Sequence, residues 1–204
     1  MTDGQDAGTK RGLKRGRGST SNPQVRYHEQ HVEPCLDEAA RVTDGEAELA
    51  PLRTTVAVDR ARTAISRNDS PDIPFAGSVN PYRGCEHGCV YCYARPTHAW
   101  LDLSPGLDFE SRLFKRPDIA CVLREELSSP AYEPTPLALS GVTDAYQPIE
   151  RDLGLTREVL VLLHELRHPV TIVTKSALIE RDVELLADMA ASQLAEVSFS
   201  VTTL

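Results

Sequence analysis

Long apolar runs are missing from this 204-residue sequence: no stretch approaches the roughly 18 residues that a membrane-spanning helix needs. The opening MTDGQDAGTKRGLKRGRGS, basic in places, likewise lacks the apolar segment of a secretory leader. Both absences predict a cytoplasmic protein with no membrane partner. Positive charge is short as well, with 22 Lys and Arg against 30 Asp and Glu and a net charge of -8. That balance argues against a broad non-specific nucleic-acid surface, which neutralises phosphates with many Lys and Arg side chains, so a nucleic-acid substrate gains no support from composition. Cysteine is scarce at five residues. An odd count in a reducing compartment fits a disulfide framework poorly and turns clustered thiols toward metal binding or redox chemistry.

At this length and 41% hydrophobic content the chain suits one core. Residues 1–52 mix Gly, Thr, Ser, Pro and charges without sustained apolar periodicity and are expected to form a disordered basic and polar arm. Its basic run, Lys10, Arg11, Lys14, Arg15 and Arg17, reads as the solvated charge of a tail in preference to a nucleic-acid contact. Residues 53–204 are expected to fold. TTVAV suggests a short strand, and Ser78 to Tyr82 a strand running into a cysteine-rich loop. RPDIACVLREEL reads as a helix with Pro117 in its first turn, Ile119, Val122, Leu123 and Leu127 on one face, and Cys121 buried as a small hydrophobe.

The last third alternates regularly. TPLALSGV, PVTIVTK and AEVSFSVTT read as strands separated by the helices LTREVLVLLHELRH, with Thr156 as N-cap and Val159, Leu160, Leu163 and Leu166 inward, and LIERDVELLADMAAS. This order predicts an α/β fold with a parallel sheet, whose ligands sit at the carboxyl ends of its strands. The cysteine loop, Ser140 to Asp144, Thr174 to Ser176 and Ser200 to Thr203 would then meet on one face.

The loop is CEHGCVYC, which places Cys85, Cys89 and Cys92 at the spacing C-x3-C-x2-C with Gly88 to relax the turn. Three thiolates at this range can converge on a metal centre. Zinc would need a fourth ligand from His87 or His98. A closed electron-transfer cluster would need a fourth cysteine, and only Cys35 and Cys121 remain. A four-iron cluster on three cysteines would leave one iron open.

C-x3-C-x-aromatic-C with Tyr91 in the aromatic place resembles the signature of the radical S-adenosylmethionine (SAM) superfamily. NPYRGCEHGCVYCYARPTHAW, SPGLDFES, TDAYQPIE and VTKSALIERD, spread over about residues 60–204, are similar to bacterial proteins of its spore photoproduct lyase-like branch. The resemblance implies a [4Fe-4S] cluster on Cys85, Cys89 and Cys92, with SAM on the fourth iron and Tyr91 beside its adenine. It places Gly141 and Thr143 at the methionine amino group, and Lys175, Ser176, Ser200 and Thr202 at the carboxylate or ribose. SGVTD departs from the usual glycine-rich motif in having one Gly and no Glu, so Asp144 either replaces the missing acid or caps the next turn. The implied activity is reductive cleavage of SAM to a 5'-deoxyadenosyl radical acting on an unknown substrate, lyase-like in type, with a low-potential electron donor such as a flavodoxin or ferredoxin as partner. The implied fold is a partial (β/α)6 TIM-like barrel. The sequence stops at Leu204, as the fourth strand ends, so a truncated N-terminal part of such a barrel is expected, inactive alone if it is a fragment. The rival expectation is a non-catalytic zinc or iron-sulfur module whose arm docks on nucleic acid.

Overall fold

The computed structural model describes residues 16–19, 21–23, 52–60 and 62–201. Strands β1 (Thr55–Val58), β2 (Ile65–Arg67), β3 (Gly77–Val79) and β4 (Tyr82–Arg83) come first, followed by a 3-10 helix at Arg95–Leu101. Next are α1 (Leu107–Ser111), β5 (Arg112–Lys115), α2 (Ile119–Leu127) and β6 (Leu137–Leu139). Then come α3 (Glu150–Leu153), α4 (Leu155–Glu165), β7 (Val170–Thr174), a 3-10 turn at Ala177–Asp182, α5 (Val183–Ala191) and β8 (Ala195–Phe199).

The main sheet has the order β2-β3-β6-β7-β8. Strands β3, β6, β7 and β8 run parallel, with β2 antiparallel at one edge and β8 at the other. In register, Val79, Leu139, Ile172 and Val197 form one row, and the first three are almost completely buried in the core beside Leu137 and Val170. Helices α2, α4 and α5 cover this face, bringing Leu123, Val159, Leu160, Leu163 and Met189 into the same cluster. The alternate row, Ser78, Ala138, Thr171 and Glu196, is small or polar and grows more exposed toward β8. A sheet with one apolar and one polar face is half covered. The result is a mixed α/β fold with an open five-stranded sheet, so the closing strands of a partial TIM-like barrel are not among the described residues.

Several expectations are corrected in detail. The predicted strand over Ser78 to Tyr82 breaks at Asn80–Pro81, because proline has no N–H for the ladder. Beyond it, β4 joins a second sheet of order β1-β5-β4. TTVAV does form a strand, but it pairs with β5 and lies outside the main sheet. Cys121 is exposed on α2, and Leu166 is 41% exposed just past the end of α4. Thr156 is not a cap. Gly154, with φ of 69°, joins α3 to α4, and the Glu150 carboxylate accepts the amides of Thr156 at 2.9 Å and Arg157 at 3.3 Å. A carboxylate there satisfies amides that a helix start leaves unpaired and favours its dipole.

Two buried histidines make the fold acid-sensitive. His98, fully buried, donates from Nε2 to the Arg112 carbonyl at 2.9 Å, while Nδ1 has no partner. His168 donates from Nδ1 to the Pro169 carbonyl at 3.0 Å, and its Nε2 accepts the Tyr132 hydroxyl at 2.7 Å. Burial depresses both imidazoles below their ordinary value, outweighing the carbonyl bonds that act the other way. Below about pH 6.5 the unfolded chain therefore binds protons that the folded chain refuses, and stability falls as the pH drops. Urea midpoints at pH 7.5 and 5.5 should show a lower midpoint at 5.5, and replacing His98 by Gln should flatten the difference.

Candidate functional site

The cysteine loop leaves β4 through Gly84, whose φ of 77° lies in the left-handed region. The loop has no ladder partners, so its backbone groups are met individually. Cys85 donates its amide to the Phe109 carbonyl at 2.9 Å. Gln147, fully buried, accepts the Glu86 amide at 3.0 Å and donates to the Gly84 carbonyl at 3.2 Å, clamping the chain on both sides of Cys85. Arg95 holds the far end, donating to the carbonyls of Cys89 and Gly88 at 2.8 Å each and of Pro105 and Gly106 at 3.0 and 3.1 Å. One guanidinium thereby fixes four carbonyls, a task suited to its rigid fork of donors. Gly88, with φ of 62°, turns the chain between the first two cysteines.

All three cysteines are free thiols. Cys85 is buried with Ala94 and Phe109, and Cys92 packs against the same cluster. Burial pushes the Cys85 thiol up to about 12, against the opposing pull of the Asp144 and His87 amides. Lys175 places its ammonium 5.8 Å from the centre of the Tyr91 ring. Its pKa is raised first by a hydrogen bond to the Cys89 sulfur. Among the described residues, no three His, Cys, Asp or Glu side chains are grouped so as to hold a metal ion. His98 Nε2 is taken up by the Arg112 carbonyl.

The parallel strands bring their carboxyl ends to the same edge. After β3, Asn80 Oδ1 accepts the Val142 amide at 3.0 Å, tying the end of β3 to the segment after β6. In that segment, Ser140 sits at φ 66°, and the Tyr93 hydroxyl donates to the Gly141 carbonyl. A Cβ on Gly141 would come 3.3 Å from Ser78 Cβ, a tight but passable approach. The hydroxyls of Ser140 and Thr143 are buried without a hydrogen-bond partner among the described residues. Such groups are rare in folded proteins, because an unpaired buried hydroxyl costs about 1–3 kcal/mol.

Asp144 braces three segments. It accepts the Thr174 hydroxyl at 2.6 Å, the Tyr146 amide at 2.8 Å and the Lys175 amide at 3.0 Å, with His87 Nε2 at ion-pair distance, 3.4 Å, from its second oxygen. Burial alone would raise this carboxyl, but His87, then Thr174 and the two amides, hold it below the ordinary carboxylate value. The bond to the Tyr146 amide is the turn-capping contact left open by the sequence, and the others join β7 and the cysteine loop to it.

Asp144 and Lys175 thus meet the cysteine loop, whose Tyr91 faces Lys175, and Gly141 meets Tyr93 just beyond it. Ser176 is turned to its own chain, its Oγ accepting the Leu178 amide at 3.2 Å. Ser200 follows β8 and donates its amide to the Thr174 carbonyl at 2.9 Å. Thr202 lies outside the described residues. Sequence reasoning gave no role to Gln147 and Arg95, which stand outside the cysteine motif; it placed Ser140 on the ligand face with the rest of Ser140 to Asp144, but its buried hydroxyl has no sequence signal.

No protein-family model matches the chain. An uncharacterized protein of Mycobacterium tuberculosis is 41% identical over 130 residues, covering 64% of this chain and 38% of that protein. An uncharacterized protein of Methanocaldococcus jannaschii is 31% identical over 126 residues, covering 62% of this chain and 44% of that protein. The chain therefore spans about two fifths of the length of the curated relatives it matches. Among solved structures, a cysteine-to-alanine mutant of spore photoproduct lyase is similar at 20% identity and a TM-score of 0.49, over 77% of this chain and 44% of that one. A double mutant with bound AdoMet and dinucleoside spore photoproduct is similar over the same shares at 20% identity and a TM-score of 0.45.

Proposed function

We propose that this chain carries the cluster and SAM site of a radical SAM enzyme. The observation that carries the reading is one juxtaposition. Three free cysteines occupy a loop braced, through His87 and Asp144, to the carboxyl ends of β6 and β7, where two buried hydroxyls have no partner among the described residues.

The donor set fits a [4Fe-4S] cluster better than zinc. A structural zinc ion wants four protein ligands, and of the two candidates for the fourth, His98 gives its Nε2 to the Arg112 carbonyl and His87 stands against Asp144. On a multi-iron cluster each thiolate takes its own iron, so Cys85, Cys89 and Cys92 need only border the same space. A cluster held by Cys85, Cys89 and Cys92 would supply, when reduced, the one electron that carbon-sulfur cleavage of bound SAM to a 5'-deoxyadenosyl radical requires. The protein's share is to bind, orient and exclude competing reactions.

Thr143 Oγ1 and Ser140 Oγ would meet polar groups of SAM, and Gly141 would let it approach closely. Lys175 offers a cation to its carboxylate beside Tyr91, which stacks on the adenine. Asp144 acts through Lys175 and His87 by holding their segments. Ser176 and Ser200 would extend this edge toward the ribose. A low-potential donor of the flavodoxin or ferredoxin class supplies the electron.

Equilibrium binding of SAM tests the site. Protein loaded anaerobically with iron and sulfide should bind SAM, and the metal-free protein should not. Thr143→Val should weaken binding roughly three- to tenfold, the worth of one hydrogen bond. Equal binding without iron, or uptake of zinc alone, would overturn the reading.

A further inference from the structure

Glu110, on α1, has no exposed surface, and its carboxylate is met by partners far apart in the sequence. One oxygen accepts the amides of Arg17 at 2.5 Å and Gly18 at 3.0 Å. The other accepts the Ser19 amide at 2.7 Å and the Arg95 guanidinium at 2.5 Å. Successive backbone N–H groups curled around one anion form a nest, and a buried carboxylate needs such compensation. The segment they belong to, Gly16–Ser19, comes from the stretch whose composition predicted a disordered arm with solvated charges. Its arginine is instead engaged: Arg17 donates to the Glu110 carbonyl, to Thr54 Oγ1 at 2.8 Å and to Glu86 Oε1 at 3.2 Å.

The glycines of this segment let it lie flat. A Cβ on Gly18 would fall 1.7 Å from the Gly88 carbonyl oxygen, and one on Gly16 would fall 2.6 Å from Leu107 Cδ2. Further along, Leu107 donates its amide to the Ser21 carbonyl at 3.2 Å and Asp108 to Asn22 Oδ1 at 3.1 Å. The segment therefore reaches the cysteine loop by three routes. Gly18 packs on Gly88, Arg17 pairs with Glu86, and Glu110 links the segment's amides to Arg95, which holds the carbonyls of Gly88 and Cys89.

We infer that Gly16–Ser19 is a strap, latched by Glu110, that holds the cysteine loop in its ligand-presenting shape. Glu110 and Arg17 are positioning residues, acting on the cysteines through Arg95, Glu86 and Gly88. The effect on iron rests on the proposed function, whereas the latch does not.

Hydrogen-deuterium exchange on the metal-free protein reads the latch directly, since the amides of Cys85, Glu86, Gly88 and Cys92 are all hydrogen-bonded. Gly18→Val, whose side chain has no room against Gly88, should speed exchange across residues 85–92 about tenfold or more while leaving α4 unchanged. Arg17→Ala should give a smaller increase in the same peptides, which guards against a general folding defect in the first variant. Exchange over residues 85–92 as slow in both variants as in the wild type would overturn the strap. In loaded protein the same variants should lose iron to a chelator several-fold faster. If the wild type takes up no iron, the proposed function fails while the exchange comparison still decides the strap.

Discussion

Cys89→Ala should reduce bound iron, after anaerobic loading, from about four per chain to less than about one. Each of the three cysteines is assigned its own iron, and among the described residues Cys121 is the one further cysteine. Cys121 is exposed on a distant helix, and among the described residues no His, Cys, Asp or Glu group completes a site. Cys89 is only half buried, so alanine there should cost the fold less than about 1 kcal/mol, in the range of ordinary surface changes. Lost iron with an unchanged thermal midpoint would then report on ligation alone. Cys85→Ala should lose iron equally but also loosen the small cluster with Ala94 and Phe109. Cys121→Ala should retain full iron. Iron content in Cys89→Ala equal to that in wild type would remove Cys89 from the site.

Gly84→Ala should lower the thermal midpoint by roughly 5–15 °C, the shift that 2–5 kcal/mol produces in a domain of this size. Two costs add. With φ at 77°, an L side chain is strained by roughly 1–2 kcal/mol. The added Cβ would also lie 2.6 Å from Leu113 Cδ2, 2.9 Å from His98 Cε1 and 2.9 Å from the Phe109 carbonyl oxygen. Leu113, His98 and Phe109 are all within 1% of complete burial, so none can move aside, and overpacking of this kind costs about 1–3 kcal/mol. The Phe109 carbonyl is the acceptor for the Cys85 amide. The substitution should therefore displace the first cysteine as well as destabilise the fold, and iron retention should fall with the midpoint. A midpoint within about 1 °C of wild type, a shift worth well under 1 kcal/mol, would contradict the packing account.

The parallel strands β6, β7 and β8 of the main sheet were legible because their signals are local, whereas edge strand β2 was not read as a strand. LAL, VTIVT and AEVSF are apolar or β-branched strands separated by helices of 3.6-residue periodicity, and alternation of this kind dictates parallel pairing. The cysteine loop was legible from spacing alone. What escaped were contacts made across long stretches of chain. Strand β5 is four residues, Arg112–Lys115, with a single fully buried side chain, Leu113. Its pairing with β1 and β4 depends on the turn at Pro81, which only the folded chain brings beside Arg116 through a 3.0 Å hydrogen bond. Gln147 lies 61 residues from the amide it accepts, and Glu110 lies 93 residues from Arg17. Neither has a periodic or compositional signature. The glycines of the RGRGS stretch looked like the mark of a flexible tail, because composition cannot separate a glycine that frees the chain from one that lets two backbones touch.

The central claim is that the loop of Cys85, Cys89 and Cys92, with the strand ends beside it, binds SAM and cleaves it reductively. Its most direct test is 5'-deoxyadenosine formed by the anaerobically loaded protein with dithionite and SAM. The account predicts turnover in the wild type, none in Cys89→Ala, and wild-type turnover in Cys121→Ala. An iron-loaded wild type that binds SAM yet forms no more 5'-deoxyadenosine than Cys89→Ala would contradict it.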